Sequence, residues 1–473
     1  MGILPMSDHG LEARATRERH PFMESVLKNL HGLRESLRKW SSRAVLSILD
    51  QGLISTSNFA ITILLARWVT PRQYGAYAVA FEVFLAISAV YSSLMLEPVS
   101  VFGPSLFSGN LTRYMGGLLR IHALLSLAMM VMMFGGAAAV YAVKPDSLLP
   151  NVLIAVSVAA PCQMLFWLVR RGFYVVLEPR RAVMGGALYS VLLVVGVAAL
   201  YKTKTLSAVT AFLLLAAGAL IASPVMLRWL KRGLVEKDRG PSVREIVRQH
   251  WRYGRWALAN ALVTWLSIGM YYPLIASMFT LSEAGKFKAL MNLSSPIGQA
   301  FVAVSLLSLP LASRAHHRDA NAVSRHLVWR LTLAYTGGTA LYWVVLLAVR
   351  SPLVHHLYGG RYLDIIALLP WVAVGSVLRL SASSQTLALK AMRAPEKAFI
   401  SYCAGTGAAL LMVVPCMHWF GLRGAIFAWV SSGAAALVAG VLTVRHVASQ
   451  RKPARRAPTE ALVVREEATL SAP

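Results

Sequence analysis

The sequence predicts an all-α integral membrane protein with twelve transmembrane helices arranged in two six-helix lobes. Two observations predict this fold. The first is composition: of 473 residues, 57% are hydrophobic and 14% are charged, and the mean hydropathy is +0.58. A soluble domain of this length would need a much larger charged surface. The second is an internal repeat, in which a segment that follows the first apolar stretch recurs in the second half of the chain.

The repeat consists of two short segments, 65–77 and 275–287, and each of them joins two long apolar stretches. Matching positions carry the same or similar residues: Ala66 and Ala276, Thr70 and Thr280, Gly75 and Gly285, and the aromatic pair Tyr77 and Phe287. A repeated linker between apolar stretches indicates a duplicated membrane protein. Duplicated membrane proteins are very often transporters.

About 20 apolar residues suffice to cross a bilayer, and the chain contains twelve such stretches. They lie at about 44–66, 77–98, 118–143, 148–169, 182–200, 206–227, 255–278, 289–312, 327–349, 364–388, 398–419 and 424–444. With both termini in the cytoplasm, most of the 47 Lys and Arg residues fall in cytoplasmic tails and loops, as the positive-inside rule requires. The net charge of +27 is then explained by topology, and we expect no nucleic-acid partner. The two halves share one orientation, so they are related by an axis along the membrane normal.

Five regions follow from this topology. They are an N-terminal extension, 1–43; an N-lobe with spans one to six, 44–227; a basic cytoplasmic linker, 228–254; a C-lobe with spans seven to twelve, 255–446; and a basic tail that we predict to be disordered, 447–473. In the extension, apolar residues from Phe22 to Trp40 recur at helical spacing, and Lys and Arg occupy the other face. This pattern indicates an amphipathic helix, either lying on anionic membrane lipids or docked on the helix bundle.

Polar residues inside a span are costly, which makes each one a candidate functional residue. Spans one, two, seven and eight carry such residues at matched positions: Asp50 and Asn58, Glu82, Asn260, and Asn292 and Gln299. At the repeat offset, Asp50 corresponds to Asn260 and Glu82 to Asn292. We predict that these six side chains line a central, water-accessible cavity. Hydrogen bonds between helices are the alternative interpretation.

Arg379 is the one basic residue deep inside a predicted span. A guanidinium keeps its charge at any working pH and can bind phosphate oxygens through two parallel hydrogen bonds. Arg379 is therefore a candidate phosphate-binding residue, with pairing to Asp50 or Glu82 as the alternative. The sequence contains no phosphate-binding loop, no HExxH motif and no Cys/His cluster, and we predict no catalytic residue, metal site or cofactor.

The segment from Ala66 to Tyr77 resembles the signature ARxLxPxxYGxY, which follows the first span of Wzx-type polysaccharide flippases. These belong to the multidrug/oligosaccharidyl-lipid/polysaccharide (MOP) exporter superfamily. The turns at 177–182, 394–398 and 421–425 are similar to short turns of the same family. The resemblance implies a MATE-like fold whose two lobes alternate between inward-open and outward-open states.

The resemblance also implies a cargo and a location. The cargo would be an undecaprenyl-pyrophosphate-linked oligosaccharide, moved across the bacterial inner membrane for exopolysaccharide, capsule or O-antigen assembly. A polysaccharide polymerase and a chain-length regulator would be partners. Family members use basic residues for the pyrophosphate, and the candidates at span ends are Arg67, Arg72 and Arg255.

Two other functions compete with this interpretation. A MATE-like multidrug or cation antiporter would use Asp50 and Glu82 as ion-coupling carboxylates. An integral-membrane polymerase or glycosyltransferase would need a sizeable outside loop for its catalytic groups, and the longest predicted outside loop is 350–363. We therefore predict a transporter rather than an enzyme.

Overall fold

The computed structural model describes residues 45–231, 241–302, 304–305, 320–392 and 394–450, with side chains for all of these except 320–327 and 395. The described part is helical, with short turns between the helices. The predicted amphipathic helix of the N-terminal extension lies outside the described residues. The first four residues of the predicted disordered tail, 447–450, instead belong to the last helix, and the rest of the tail lies outside the described residues.

Six long helices form the N-lobe, in the order of the six predicted spans. They are α1 (Val45–Trp68), α2 (Pro71–Ser105), α3 (Leu111–Val143), α4 (Leu149–Val175), α5 (Pro179–Lys202) and α6 (Ala208–Lys231). Helix α4 lies at the centre and packs against α2, α3 and α6. Polar side chains join neighbouring helices: the Tyr189 hydroxyl on α5 donates a hydrogen bond to Oε1 of Gln163 on α4 over 2.8 Å. Such bonds hold helices together where all the surroundings are apolar.

The C-lobe contains more and shorter helices. They are α7 (Val243–Gly269), α8 (Tyr271–Met278), α9 (Leu281–Asn292), α10 (295–302), α11 (Ala320–Ala348), α12 (Arg350–Tyr358), α13 (Leu369–Ala391), α14 (Pro395–Phe420) and α15 (Leu422–Gln450). Helix α15 packs against both α13 and α14. Helices α7 and α8 form a pair bent by 42°. Pro273 lies just past the bend, and its missing N–H leaves the Gly269 carbonyl without its helical partner.

Ten helices in the described residues are long and apolar enough to cross a membrane, or eleven if α7 and α8 form one bent span. The eighth predicted span, 289–312, begins in α9 and α10 and continues beyond the described part of the chain. The total of twelve spans and the orientation of the termini therefore stay predictions. Helices α6 and α7 both extend into the predicted linker, 228–254.

The two repeated segments fold alike, because each starts a helix in the same way. The hydroxyl of Thr70 accepts a hydrogen bond from the backbone N–H of Gln73 at 3.3 Å, and that of Thr280 from Glu283 at 3.2 Å. Both threonines are therefore N-caps, which satisfy an N–H that the first turn of a helix leaves free. Pro71 follows the first of these caps, at a position that needs no N–H. The repeat thus starts two equivalent helices, α2 in the N-lobe and α9 in the C-lobe.

Helices α2 and α9 pack against each other at their first turns, and the two repeat glycines form the contact. A Cβ atom on Gly75 would overlap the carbonyl oxygen of Leu281, and one on Gly285 would lie 2.8 Å from that of Pro71. Only glycine allows two helix backbones to come this close. We call this contact, at the end predicted to face outside, the outer seam.

Two arginines reinforce the outer seam from opposite lobes. Arg67, at the end of α1, donates to the carbonyl oxygen of His356 on α12 over 2.8 Å. Arg361 of the C-lobe donates in return to the carbonyl oxygen of Val69. The outer seam is therefore closed in this conformation.

The lobes also meet at the opposite end, where α7 packs against α2 and α3. A Cβ atom on Gly254 would lie 2.6 Å from the carbonyl oxygen of Ser93. His250 donates through Nδ1 to the carbonyl oxygen of Leu94 at 2.9 Å, and its Nε2 accepts from the Tyr114 hydroxyl at 2.7 Å. We call this contact the inner seam. In this conformation α2 therefore contacts the C-lobe at both the outer and the inner seam.

Candidate functional site

A buried ion pair joins the two lobes behind the outer seam. Glu82 of α2 accepts a hydrogen bond from Nζ of Lys288 on α9 over 3.0 Å, and their side chains are only 5% and 10% exposed. The rings of Phe81 and Tyr272 lie 4.9 Å and 5.0 Å from the same ammonium, close enough for cation–π attraction. Because a buried charge without its partner is costly, this pair resists separation of the lobes.

Asn292, the repeat counterpart of Glu82, also lies between the lobes. Its Nδ2 donates to the Tyr74 hydroxyl over 2.6 Å, and both residues are buried. Glu82 and Asn292 were predicted to line a central cavity. In this conformation they are instead packed in the contact between the lobes, and parting the lobes would expose them.

Asp50 is fully buried inside the N-lobe and does not face the other lobe. Nε and Nη2 of Arg170 on α4 lie 2.7 Å and 2.6 Å from its Oδ2, and the Tyr174 hydroxyl donates to the same oxygen. The other oxygen, Oδ1, has no hydrogen-bond partner among the described residues. The sequence analysis placed Asp50 on a central cavity, whereas the structure pairs it within its own lobe. The reason is that α4 continues to Val175, beyond the predicted span end at 169.

The three other predicted cavity amides are accessible. Asn58 on α1 is half-buried, and Asn260 on α7 and Gln299 on α10 are exposed. Their predicted role in a central cavity stays a prediction.

Arg379 lies inside the C-lobe, held by α7 and α15. Its Nη2 donates to the carbonyl oxygen and to Oγ of Ser267 at 3.2 Å and 3.1 Å, and its Nη1 donates to Oγ of Ser432 at 3.1 Å. The guanidinium also lies over the Trp429 ring at 5.4 Å. No carboxylate pairs with Arg379 in the described part of the chain. The alternative prediction, pairing with Asp50 or Glu82, is therefore wrong, since those two carboxylates pair with Arg170 and Lys288.

Two adjoining pockets lie along α13. The inner pocket, of about 210 Å³, contains Arg379 and hydroxyl groups from α7, α13, α14 and α15. The second, of about 370 Å³, contains Lys390. Both share Ser383, Thr386 and Tyr402, so we treat them together as the C-lobe cavity.

The three arginines at span ends are spread over the molecule. Arg67 belongs to the outer seam, and Arg72, at the same end, donates to the carbonyl oxygen of Asp146 over 2.7 Å. Arg255 is exposed on α7, with its guanidinium 5.5 Å from the ring of Trp256. None of the three lines the C-lobe cavity with Arg379.

A larger groove, of about 960 Å³, opens between the lobes near the outer ends of α2, α3 and α8. Most of its surface is apolar, and Arg72, Lys144 and Asp146 lie at its edge. We call it the lateral groove; its apolar residues include Val79, Val140, Val143, Leu149, Pro273 and Phe279.

Three functional candidates escaped the sequence analysis: Arg170, Lys288 and Lys390. Each lies within two turns of a helix end, where the hydropathy pattern predicts a loop. Lys390 had one sequence signal, because it follows Arg379 by about three helical turns and so falls on the same face of α13.

Comparison with known proteins agrees with this architecture. No family model and no curated protein matches the sequence. Among solved structures, an inward-facing multidrug resistance MATE family transporter of the MOP superfamily matches with a TM-score of 0.66 and 16% identity, over 85% of this chain and 98% of that one. The lipid II flippase MurJ, in an inward closed conformation, matches with a TM-score of 0.65 and 13% identity, over 85% and 87%.

An outward-facing MATE family transporter of the same superfamily matches with a lower TM-score of 0.57, at 16% identity, over 86% of this chain and 95% of that one. The protein therefore has the fold of MOP-superfamily transporters, with apolar helices that cross a membrane many times.

Proposed function

We propose that this protein moves an undecaprenyl-pyrophosphate-linked oligosaccharide across the bacterial inner membrane by alternating access between its lobes. The cargo would serve exopolysaccharide, capsule or O-antigen assembly. The MurJ-like fold supports a lipid-linked cargo, and the resemblance of the segment from Ala66 to Tyr77 to polysaccharide flippases supports the sugar.

The observation that carries the proposal is the balance of buried charges. The buried carboxylates of Asp50 and Glu82 are each paired with a basic residue, whereas the guanidinium of Arg379 has no carboxylate partner in the described part. An interior with an uncompensated positive charge favours an anionic cargo over a cationic drug. A pyrophosphate is such a cargo, and a planar guanidinium suits its oxygens.

The lateral groove supports the lipid part of the proposal. A flipped lipid keeps its tail in the membrane while its polar head passes between the lobes. The groove gives the tail an apolar surface at the boundary of the lobes, and Arg72 and Lys144 at its edge suit a phosphate.

A MATE-like cation antiporter is the second candidate, and one observation favours it. Oδ1 of Asp50 is buried without a hydrogen-bond partner among the described residues, and such an oxygen suits a proton or a cation. The likeness to multidrug MATE transporters is as strong as that to MurJ. Transport of a cationic dye by the purified protein in liposomes, lost in Asp50→Asn, would favour this candidate.

The test of the proposal is substitution of Arg379 in the native host. Arg379→Ala should abolish surface polysaccharide while the protein stays inserted and abundant. Arg379→Lys should restore it only in part, because an ammonium keeps the charge but loses the planar fork. Extraction and staining of surface polysaccharide, with an immunoblot of the membrane fraction, measures both.

Arg445→Ala is the matched control, because Arg445 is exposed on α15 and lines neither pocket of the C-lobe cavity. It should leave surface polysaccharide normal. Normal polysaccharide from Arg379→Ala at normal abundance would refute the assigned role of Arg379. Glycosyltransferase genes beside this one in the genome would independently support a sugar cargo.

A further inference from the structure

The C-lobe cavity contains a cation at each end. Lys390 is exposed near the last turn of α13, at the end predicted to face the cytoplasm, and Arg379 lies about three turns deeper on the same face. Between them, Ser383, Thr386 and Tyr402 line both pockets. Ser383 is exposed, so the cavity is not sealed from the surroundings of the helix.

At the inner end of the cavity, the hydrogen-bond partners of Arg379 in the described residues are neutral groups. The partners of Arg379 are two serine hydroxyls and one carbonyl oxygen, and these groups supply dipoles rather than a full charge. A guanidinium carries five N–H donors, and the hydrogen bonds that Arg379 makes within the described residues run from its two Nη atoms. A charge held inside a helix bundle without a counter-charge is unfavourable.

Size and chemistry limit what can supply the missing charge. A pocket of about 210 Å³ holds roughly seven waters at about 30 Å³ each, which is room for one partly hydrated small anion. Thr264, Ser267 and Ser432 contribute hydroxyl groups to the same pocket, and hydroxyls can turn their hydrogens toward an anion.

We propose that the C-lobe cavity binds one small anion and holds chloride when no cargo is bound. The anion enters past Lys390 and binds beside Arg379 at the inner end of the cavity. The anion neutralises Arg379 between transport cycles. A second step, in which the pyrophosphate of the cargo displaces the chloride, rests on the function proposed above.

Thermal unfolding of the purified full-length protein tests the site. In sodium gluconate of constant ionic strength, added chloride should raise the melting temperature and reach saturation, because a ligand that binds only the folded state stabilises it. Arg379→Gln should remove this rise. Lys390→Gln should shift its midpoint to a chloride concentration up to about fivefold higher, since an exposed cation contributes little. Arg445→Gln should behave like the unaltered protein.

A second measurement does not depend on how well the variants fold. Crystals of the unaltered protein soaked in bromide should show an anomalous peak beside Arg379. An absent peak, together with a melting temperature independent of chloride, would overturn the proposal. A chloride effect that persists in Arg379→Gln would also overturn it, because the anion would then bind elsewhere.

Competition between chloride and pyrophosphate tests the anion site and the proposed function separately. Inorganic pyrophosphate is the probe, and the readout is its effect on the chloride dependence. If it competes with chloride, cargo and chloride share the site, and both proposals gain support. If chloride binds Arg379 but pyrophosphate does not compete, the anion site stands and the role of Arg379 in cargo binding falls.

Discussion

Three ionisable residues inside the helix bundle have three different environments, and each environment indicates a role. Glu82 meets Lys288 across the lobes, Asp50 meets Arg170 within one lobe, and Arg379 meets no carboxylate in the described residues. A pair that crosses the lobes must break when they part. A pair within one lobe moves as a unit and stabilises it. A cation without a partner is left for a ligand.

The pair across the lobes gives a prediction that a double-mutant cycle measures. Glu82→Gln and Lys288→Gln should each lower the free energy of unfolding by about 3 kcal/mol or more, because each leaves a buried charge alone. The double variant should lose less than the sum of the two, with a coupling of about 1–3 kcal/mol.

The partly exposed pair Glu283–Lys286, with an N–O distance of 2.9 Å, is the control, measured with Asp364→Asn in the background because Asp364 also pairs with Lys286. Its own cycle should give less than about 1 kcal/mol, since water screens it. If the losses of unfolding free energy in Glu82→Gln and Lys288→Gln are additive, the buried pair does not stabilise the contact between the lobes.

The sequence could locate the unusual charges but not their partners. Asp50, Glu82 and Arg379 stand out because charges are rare inside apolar stretches. Arg170 and Lys288 do not stand out, because hydropathy averages fall wherever basic residues cluster near a helix end. Helices that continue past the apolar stretch place such residues inside the bundle, and only the packed structure shows which acid they meet.

At the scale of helices, the repeated hairpin is both the clearest sequence signal and the main contact between the lobes. Thr70 and Thr280 start α2 and α9, and Gly75 and Gly285 let these helices touch. The residue types were visible in the sequence, and the equivalence of the two segments follows from them. That the two copies contact each other was not visible, since it depends on how the lobes are docked.

The two seams predict different effects for two glycine substitutions. Gly285→Val should prevent the outer seam from closing, because overpacking there costs about 1–3 kcal/mol. With the native cysteines replaced, Asn292→Cys should then react about tenfold faster with a membrane-impermeant thiol reagent added outside. Gly254→Val, at the inner seam, should not increase this labelling.

Gly407→Val is the control for both substitutions, because nothing lies within 4 Å of a Cβ atom at Gly407. The Gly407→Val protein should react with the thiol reagent at the same rate as the Asn292→Cys protein that keeps all its glycines. Equal labelling in the Gly285→Val and Gly254→Val proteins would contradict the assignment of the two seams to opposite sides of the membrane.

At the scale of the whole molecule, composition and the repeat predicted a duplicated, helical membrane protein, and the resemblance of the segment from Ala66 to Tyr77 to polysaccharide flippases implied a MATE-like fold. The structure and its solved neighbours confirm that fold. The orientation is a further prediction. With both termini in the cytoplasm, most basic residues lie on the cytoplasmic side of the membrane. Reporter fusions at Lys144, Lys202 and Arg361 should therefore be scored as periplasmic. A cytoplasmic signal at any two of these positions would overturn the topology.

Transport would require the two seams to open in turn. Opening the outer seam exposes Glu82, Lys288 and Asn292, which are buried now, while the partners of Asp50 stay within the N-lobe. The cost of exposing the charged pair is one reason why an unloaded protein would stay closed to the outside.

The most direct test of transport is a flipping assay with purified protein in liposomes. The liposomes contain a fluorescent undecaprenyl-pyrophosphate-linked oligosaccharide, and a membrane-impermeant quencher reports which leaflet holds it. We predict that the protein brings the inner-leaflet cargo to the quencher, that Arg379→Ala loses this activity, and that Arg445→Ala keeps it. Equal quenching in liposomes with and without the protein, alongside transport of a cationic dye by the same preparation, would contradict a lipid-linked sugar as the cargo.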